Sequence, residues 1–193
     1  MFLKRDNPHT LEVGMVGPKM GDRFLQIGCA QGARMAAIAS KVGLSGRAVV
    51  VAPDEASAAR ARKGAAGAGV LVEVEVAAPT RLPFDEGSFD VAVVDDTAGL
   101  VGTMRPEDRV QTLREVLRVL RGGGRVMIIG TAPRGGFGAI LSRAQSGPPF
   151  TASGDATKAL DAEGFRSARI LAEREGLVFV EAVKARPESG QRA

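Results

Sequence analysis

The 193-residue sequence has no tryptophan, no tyrosine, one cysteine and one histidine. Its eight phenylalanines are its only aromatic side chains, so any core rests on Val, Leu, Ile, Ala and Phe. Proteins that grip single-stranded nucleic acid stack bases on aromatic rings beside a concentrated basic face. Here the basic residues are scattered and the net charge is only +4, so nucleic-acid binding is not the expected function. The lone Cys29 excludes an intrachain disulfide and a cysteine-based zinc cluster. No apolar run approaches the about 18 residues of a membrane span, and "MFLKRDNPHT" lacks the apolar core of a signal peptide. The expected compartment is the cytoplasm.

What is present is ordinary for a globular chain: 45% apolar and 25% charged residues, with 25 glycines gathered at turns. The length suits one domain, drawn over residues 1–186, with a polar tail at 187–193 expected to be disordered. Strand patterns occur at 23–27, in "RAVVVA", "VLVEVEVA", "FDVAVVDD" and "RVMIIG", and in a final hairpin around Glu175-Gly176. Between them lie helical patterns. "ARMAAIASKV" repeats apolar residues at Met35, Ile38, Ala39 and Val42, and "EASAARARKGAAGAG" closes in glycines. "RPEDRVQTLREVLRVLRGGG" carries a stripe of Val110, Leu113, Leu117 and Leu120, and "DATKALDAEGF" is the last helix. This alternation predicts an α/β fold: a doubly wound, mostly parallel seven-stranded sheet with a C-terminal antiparallel hairpin. The Gly/Pro-rich stretch 131–153 reads as a loop.

Doubly wound sheets bind ligands beyond the C-terminal ends of their strands. The first such exit is "FLQIGCAQG", where Gly28 and Gly32 permit a tight turn into a helix. Further on come "RLPFDEGSFDVAVVDD" (81–96) and "LREVLRVLRGGGRVMIIG" (113–130). In this order, the three stretches resemble class I S-adenosylmethionine-dependent methyltransferases, and "LDAEGFRSARILAEREGLVFVEAVKA" is similar to that family's closing helix and hairpin. The resemblance spans roughly residues 20–185. It implies a Rossmann-like fold, S-adenosylmethionine as cofactor and a small-molecule acceptor.

The resemblance also implies a site and exposes departures from it. The first loop carries Gln26 where the family has an acid and Ala30 where it has a middle glycine, between Gly28, Cys29 and Gly32. The ribose-binding acid at the end of the second strand falls on Ala52, followed by Pro53 and Asp54. The adenine-facing acid falls on Ala78, followed by Pro79 and Thr80. Asp95 and Asp96 end the fourth strand, either facing cofactor and acceptor or lying as solvated turn carboxylates. No catalytic base is evident.

Other residues read as structural. Asp90 is expected to tie down the loop before its strand. "GPPF" (147–150) is a loop turn, and Arg114, Arg118 and Arg121 form a solvated helix face. His9 is a surface residue and Cys29 a packing residue. Three functions compete: methyl transfer to a small molecule, a non-catalytic methyltransferase-like scaffold that binds a partner or another ligand, and a nicotinamide oxidoreductase, for which "GCAQGA" is a poor G-x-G-x-x-G. Self-association is left open.

Overall fold

A computed structural model describes residues 8–132 and 150–186. The expected loop 131–153 and the tail from 187 therefore lie largely outside the described residues, as does all of "GPPF" except Phe150. Strands β1 (Arg23–Ile27), β2 (Arg47–Ala52), β3 (Glu73–Val76), β4 (Phe89–Asp95), β5 (Leu120–Thr131), β6 (Arg166–Arg174) and β7 (Leu177–Val183) form one sheet in the order β3-β2-β1-β4-β5-β7-β6. β1 to β5 run parallel, and β7 is antiparallel to both β5 and β6. This is the predicted architecture.

Helices cover both faces. α1 (Thr10–Val16), α2 (Gly32–Ala39) and α3 (Glu55–Ala68) lie on one side, over Phe24, Val50, Val93 and Met127. α4 (Pro106–Val119) and α5 (Asp155–Ala162) cover Leu25, Val49, Val94 and Ile128. Phe24 and Leu25 enter opposite clusters because successive strand side chains alternate faces. All four residues of the predicted α2 stripe are buried, the last on a 3-10 turn.

Several expectations are corrected. α1 carried no strong period in the sequence, and it ends on Gly17 in the left-handed region. β3 is shorter than "VLVEVEVA" and lies mostly exposed at the sheet edge. The buried face of α4 is Thr112, Leu113, Val116 and Val119, while Val110 and Leu117 are half-buried. Leu120 is already β5, and Gly122–Gly124 lie within that strand. Arg118 is not simply solvated: it donates to the carbonyls of Phe84 and Leu82 and to Glu115. His9 is buried, not on the surface, and its Nδ1 lies 3.0 Å from Glu12 Oε1.

α2 and α3 meet at two glycines. A Cβ on Gly64 would fall 2.3 Å from the Gly32 carbonyl carbon, and one on Gly32 would fall 2.2 Å from the Arg60 carbonyl oxygen. The loop's last glycine therefore serves helix packing. Gly67, one turn on in α3, has nothing within 4 Å of its Cβ position. Gly64→Ala is expected to lower stability by about 1–3 kcal/mol through overpacking. Gly67→Ala should raise it by roughly 0.5–1 kcal/mol through lost chain entropy. Urea midpoints of the two variants check this, and equal shifts would refute the close approach.

Asp90 is structural, but it ties neighbouring strands together at the N-terminal side of the sheet rather than the loop before its own strand. Its Oδ2 accepts from Arg23 N at 2.8 Å and Arg23 Nε at 3.0 Å, and its Oδ1 accepts from Arg121. Partial burial pushes this carboxyl up, but the bonds from Arg23 and Arg121 outweigh it and hold the pKa at about 2. A depressed acid stabilises the fold above its ordinary value of 3.8 and loses that contribution as pH falls towards 2. The contribution at neutral pH is about 2 kcal/mol at most. Asp90→Asn is expected to flatten the fall in stability between these pH values, read from denaturation midpoints across the range.

Candidate active site

The exits of β1, β2 and β4 converge at the C-terminal side of the sheet. At Gly28 the chain turns with φ +77°, and its N–H donates to Val51 O at 2.8 Å. A Cβ there would lie 2.7 Å from Leu100 Cδ2, so Leu100 overhangs the turn. Next, Cys29 N donates to Ser57 Oγ at 3.1 Å, and Cys29 O accepts from Arg60 Nε at 2.8 Å. α3 thus holds the loop from one side. Burial, with Asp95 adding to it, pushes the Cys29 thiol up to about 11, which favours the protonated form.

From the other side, β4 holds the loop. Asp95 Oδ2 accepts from Ala30 N at 2.9 Å. Asp95 Oδ1 accepts from Arg34 Nη2 at 2.8 Å, Thr97 Oγ1 at 2.6 Å and Thr97 N at 3.2 Å. The ion pair is buried, with 7% and 1% side-chain exposure for Arg34 and Asp95. Asp96 Oδ1 accepts from Val101 N at 2.8 Å and Gly102 N at 2.9 Å. Burial pushes the Asp96 carboxyl up, against the pull of those two amides. Neither acid is a solvated turn carboxylate.

The remaining candidates differ in what they offer. Gln26 is buried; its Nε2 donates to Gly28 O at 3.0 Å, while Oε1 has no partner. Ala52 is fully buried, and its carbonyl accepts from Ala77 N at 3.1 Å. Pro53 is exposed. Asp54 caps α3, accepting from Ser57 N at 2.7 Å through Oδ1. Beyond β3, Ala78 is exposed, Pro79 buried and Thr80 half-buried. Among the described residues no cluster of three or more His, Cys, Asp or Glu could hold a metal, and no helix is long and apolar enough to cross a membrane.

Reading the sequence missed Arg34, Ser57, Arg60 and Thr97. One signal was available for Arg34: a charged residue beside the apolar stripe of α2, directly after a ligand loop. The other three sit on elements whose approach to the loop only the fold reveals.

Residues 24–124, which contain this loop and both acids, match the family model of a methyltransferase domain. The chain belongs to this family. Methyltransferases of this family use S-adenosylmethionine as cofactor, and the fold of this chain is the Rossmann-like sheet described above. The chain is 31% identical over 115 residues to methyltransferase GfsG of Streptomyces halstedii, covering 60% of this chain and 40% of that one. It is 26% identical to norajmaline N-methyltransferase of Rauvolfia serpentina, over 60% of this chain and 38% of the relative. The chain thus spans less than half the length of these curated relatives. A crystal structure of an S-adenosylmethionine-dependent methyltransferase from Aquifex aeolicus shares the fold with a TM-score of 0.73 at 18% identity, covering 92% of this chain and 90% of that one.

The Arg34–Asp95 pair generates a stability prediction. Asp95→Asn leaves a buried guanidinium uncompensated and should cost about 3–5 kcal/mol. Adding Arg34→Met should restore much of that loss. A double-mutant cycle on urea midpoints measures the coupling; additive effects would mean the two side chains do not depend on each other.

Proposed function

We infer that the protein transfers a methyl group from S-adenosylmethionine to a small-molecule acceptor. The observation that carries this reading is the buried cluster of Arg34, Asp95 and the Ala30 amide beneath the loop, beside the unpartnered Gln26 Oε1. A buried cation and an orphaned acceptor suit the carboxylate and ammonium of the cofactor's methionine end. Gln26 and Arg34 are the residues assigned to that end. Asp54 would grip the ribose with its second oxygen, and Thr80, beside Ala78 and Pro79, would face the adenine. When bound, the cofactor supplies an electrophilic methyl group. The chain's own task is then to hold a nucleophile in line and remove its proton. The names of GfsG and of the norajmaline N-methyltransferase support the choice of methyl transfer, and the latter name points to a small acceptor.

A second reading rests on the same loop. Its amides at Cys29 and Ala30 already donate to Ser57 and Asp95, and Leu100 overhangs Gly28. A scaffold that binds a partner, having given up the cofactor, would fill its own site in this way. One solved neighbour, at 16% identity, is a putative methyltransferase of Haloferax volcanii in complex with an activator.

Calorimetry separates the two. The protein should bind S-adenosylhomocysteine and ignore NAD. Asp54→Ser keeps a capping oxygen for α3 while removing the carboxylate. It should leave the denaturation midpoint nearly unchanged and weaken binding by about 1.5–3 kcal/mol, roughly tenfold or more. No heat with S-adenosylhomocysteine would favour the scaffold.

A further inference from the structure

α2 and α3 leave a groove on their outer side. Arg60, Lys63, Gly64 and Gly67 stand at i, i+3, i+4 and i+7 of α3, on one face of that helix. With Ala33 and Ala37 of α2 they line a hollow of about 640 Å³. Through Ser40, Ala68 and Val70 it runs on into a second hollow of about 300 Å³, between the 3-10 turn and the end of α3. Glycine and alanine side chains are too short to fill a groove of this size, so its occupant must bring the volume.

Large apolar side chains crowd the far end. Leu44 is 95% exposed and Leu71 82%, and both line the second hollow. Met20, 80% exposed, lies beside it: a Cβ on Gly43, also in the lining, would fall 3.5 Å from Met20 Cγ. Scattered exposed apolar residues are ordinary. Here the three most exposed large hydrophobics among the described residues surround one hollow, which is the mark of a contact surface.

Charge and shape select the occupant. Among the described residues no Asp or Glu lines either hollow, and the charged side chains there are Arg60 and Lys63, at the end opposite Leu44. Lys63 has no ion pair or hydrogen bond among the described residues, and Arg60 spends only Nε on Cys29 O. α2 and its 3-10 turn extend about 18 Å, the length of three to four helical turns. A flat bilayer does not fill a concave groove. Two copies of the chain related by a twofold axis here would set hollow against hollow.

We propose that the α2–α3 groove docks an amphipathic helix of a partner protein. Large apolar side chains at i, i+3, i+4 and i+7 of that helix fill the two hollows and cover Leu44 and Leu71, and carboxylates at its other end meet Arg60 and Lys63. The inference does not depend on the methyl-transfer reading. The docked helix would lie against α3, which holds the loop after β1 through Arg60.

The probe is a lactam-locked helix of about 14 residues, with leucines on one face and glutamates on its flanks. Titrated into the whole chain by fluorescence anisotropy, it should bind, and amide shifts should move along 32–44 and 60–71. The same probe with lysine for glutamate should bind about tenfold more weakly. Gly67→Leu puts a side chain where nothing lies within 4 Å of the Cβ position, so it fills the groove without strain. It should keep the denaturation midpoint at or above that of the wild type and weaken binding about tenfold or more. Lys63→Glu should weaken the glutamate probe and strengthen the lysine probe. No binding of the glutamate probe would overturn the proposal, as would wild-type affinity in Gly67→Leu. Three other outcomes overturn it by giving the surface to another occupant. These are binding to phosphatidylglycerol vesicles in place of the probe, a dimer that Leu44→Ser with Leu71→Ser abolishes, and a probe that binds only after Phe2→Ser with Leu3→Ser, which hands the groove to the chain's own N-terminal segment.

Discussion

Four hydrogen bonds converge on one carboxylate, and the site's geometry depends on them. Asp95 receives Ala30 N, Arg34 Nη2, Thr97 N and Thr97 Oγ1. Those donors come from the loop after β1, from α2 and from the turn after β4. A single side chain thus ties Ala30 and Arg34 to the turn after β4, across sequence separations of 65 and 61 residues from Asp95. In a buried setting each bond is stronger than it would be in water, and leaving any partner alone is costly. The loop's conformation is therefore set by β4 and not by its glycines alone.

α3 is the second constraint. Ser57 and Arg60 take the amide and carbonyl of Cys29, and Gly64 lies against Gly32. These contacts require one another. The polar bonds form only if α3 comes close, and the close approach is possible only with two glycines at the crossing. Asp54, by capping α3, sets where the helix starts and so where Ser57 points. The cap and the candidate ribose acid are thus one residue with two jobs, carried by its two oxygens.

The fold was legible because each strand and most helices carry strong periodic patterns. "RFLQI" and "RAVVVA" are strands at the bounds read from sequence, and the hairpin turn is at Glu175-Gly176. α1 was not legible, being seven residues with an interior glycine. The α4 stripe was misread because Leu120, which continues the helical spacing, leaves the helix to open β5. The site was legible only as positions along the chain. Motif order pointed to Gly28, Asp95 and Asp96, but not to how they are used. Gly32 looks like a cofactor glycine and is needed for a helix crossing. His9 looks exposed because it stands in a polar N-terminal stretch, yet it is buried, with its ring 3.0 Å from Glu12, one helical turn on.

The neutral Gln26 follows from the same charge balance. Gln26 pairs with Val93 in register, so Asp95, two residues further along β4, shares its face of the sheet. That face also carries Val93 and Phe24 and is covered by α2, from which Arg34 reaches in. Arg34 is the cation bonded to Asp95 in this buried region, and its Nη2 also donates to Thr97 Oγ1. An acid at position 26 would add a second buried negative charge beside that pair. It would either take up a proton or pull Arg34 away from Asp95. Glutamine keeps the shape of the acid and, through Nε2, adds a bond to Gly28 O that a carboxylate could not donate. On this argument the loop after β1 is held by a carboxylate from the neighbouring strand β4 and needs no acid on β1 itself.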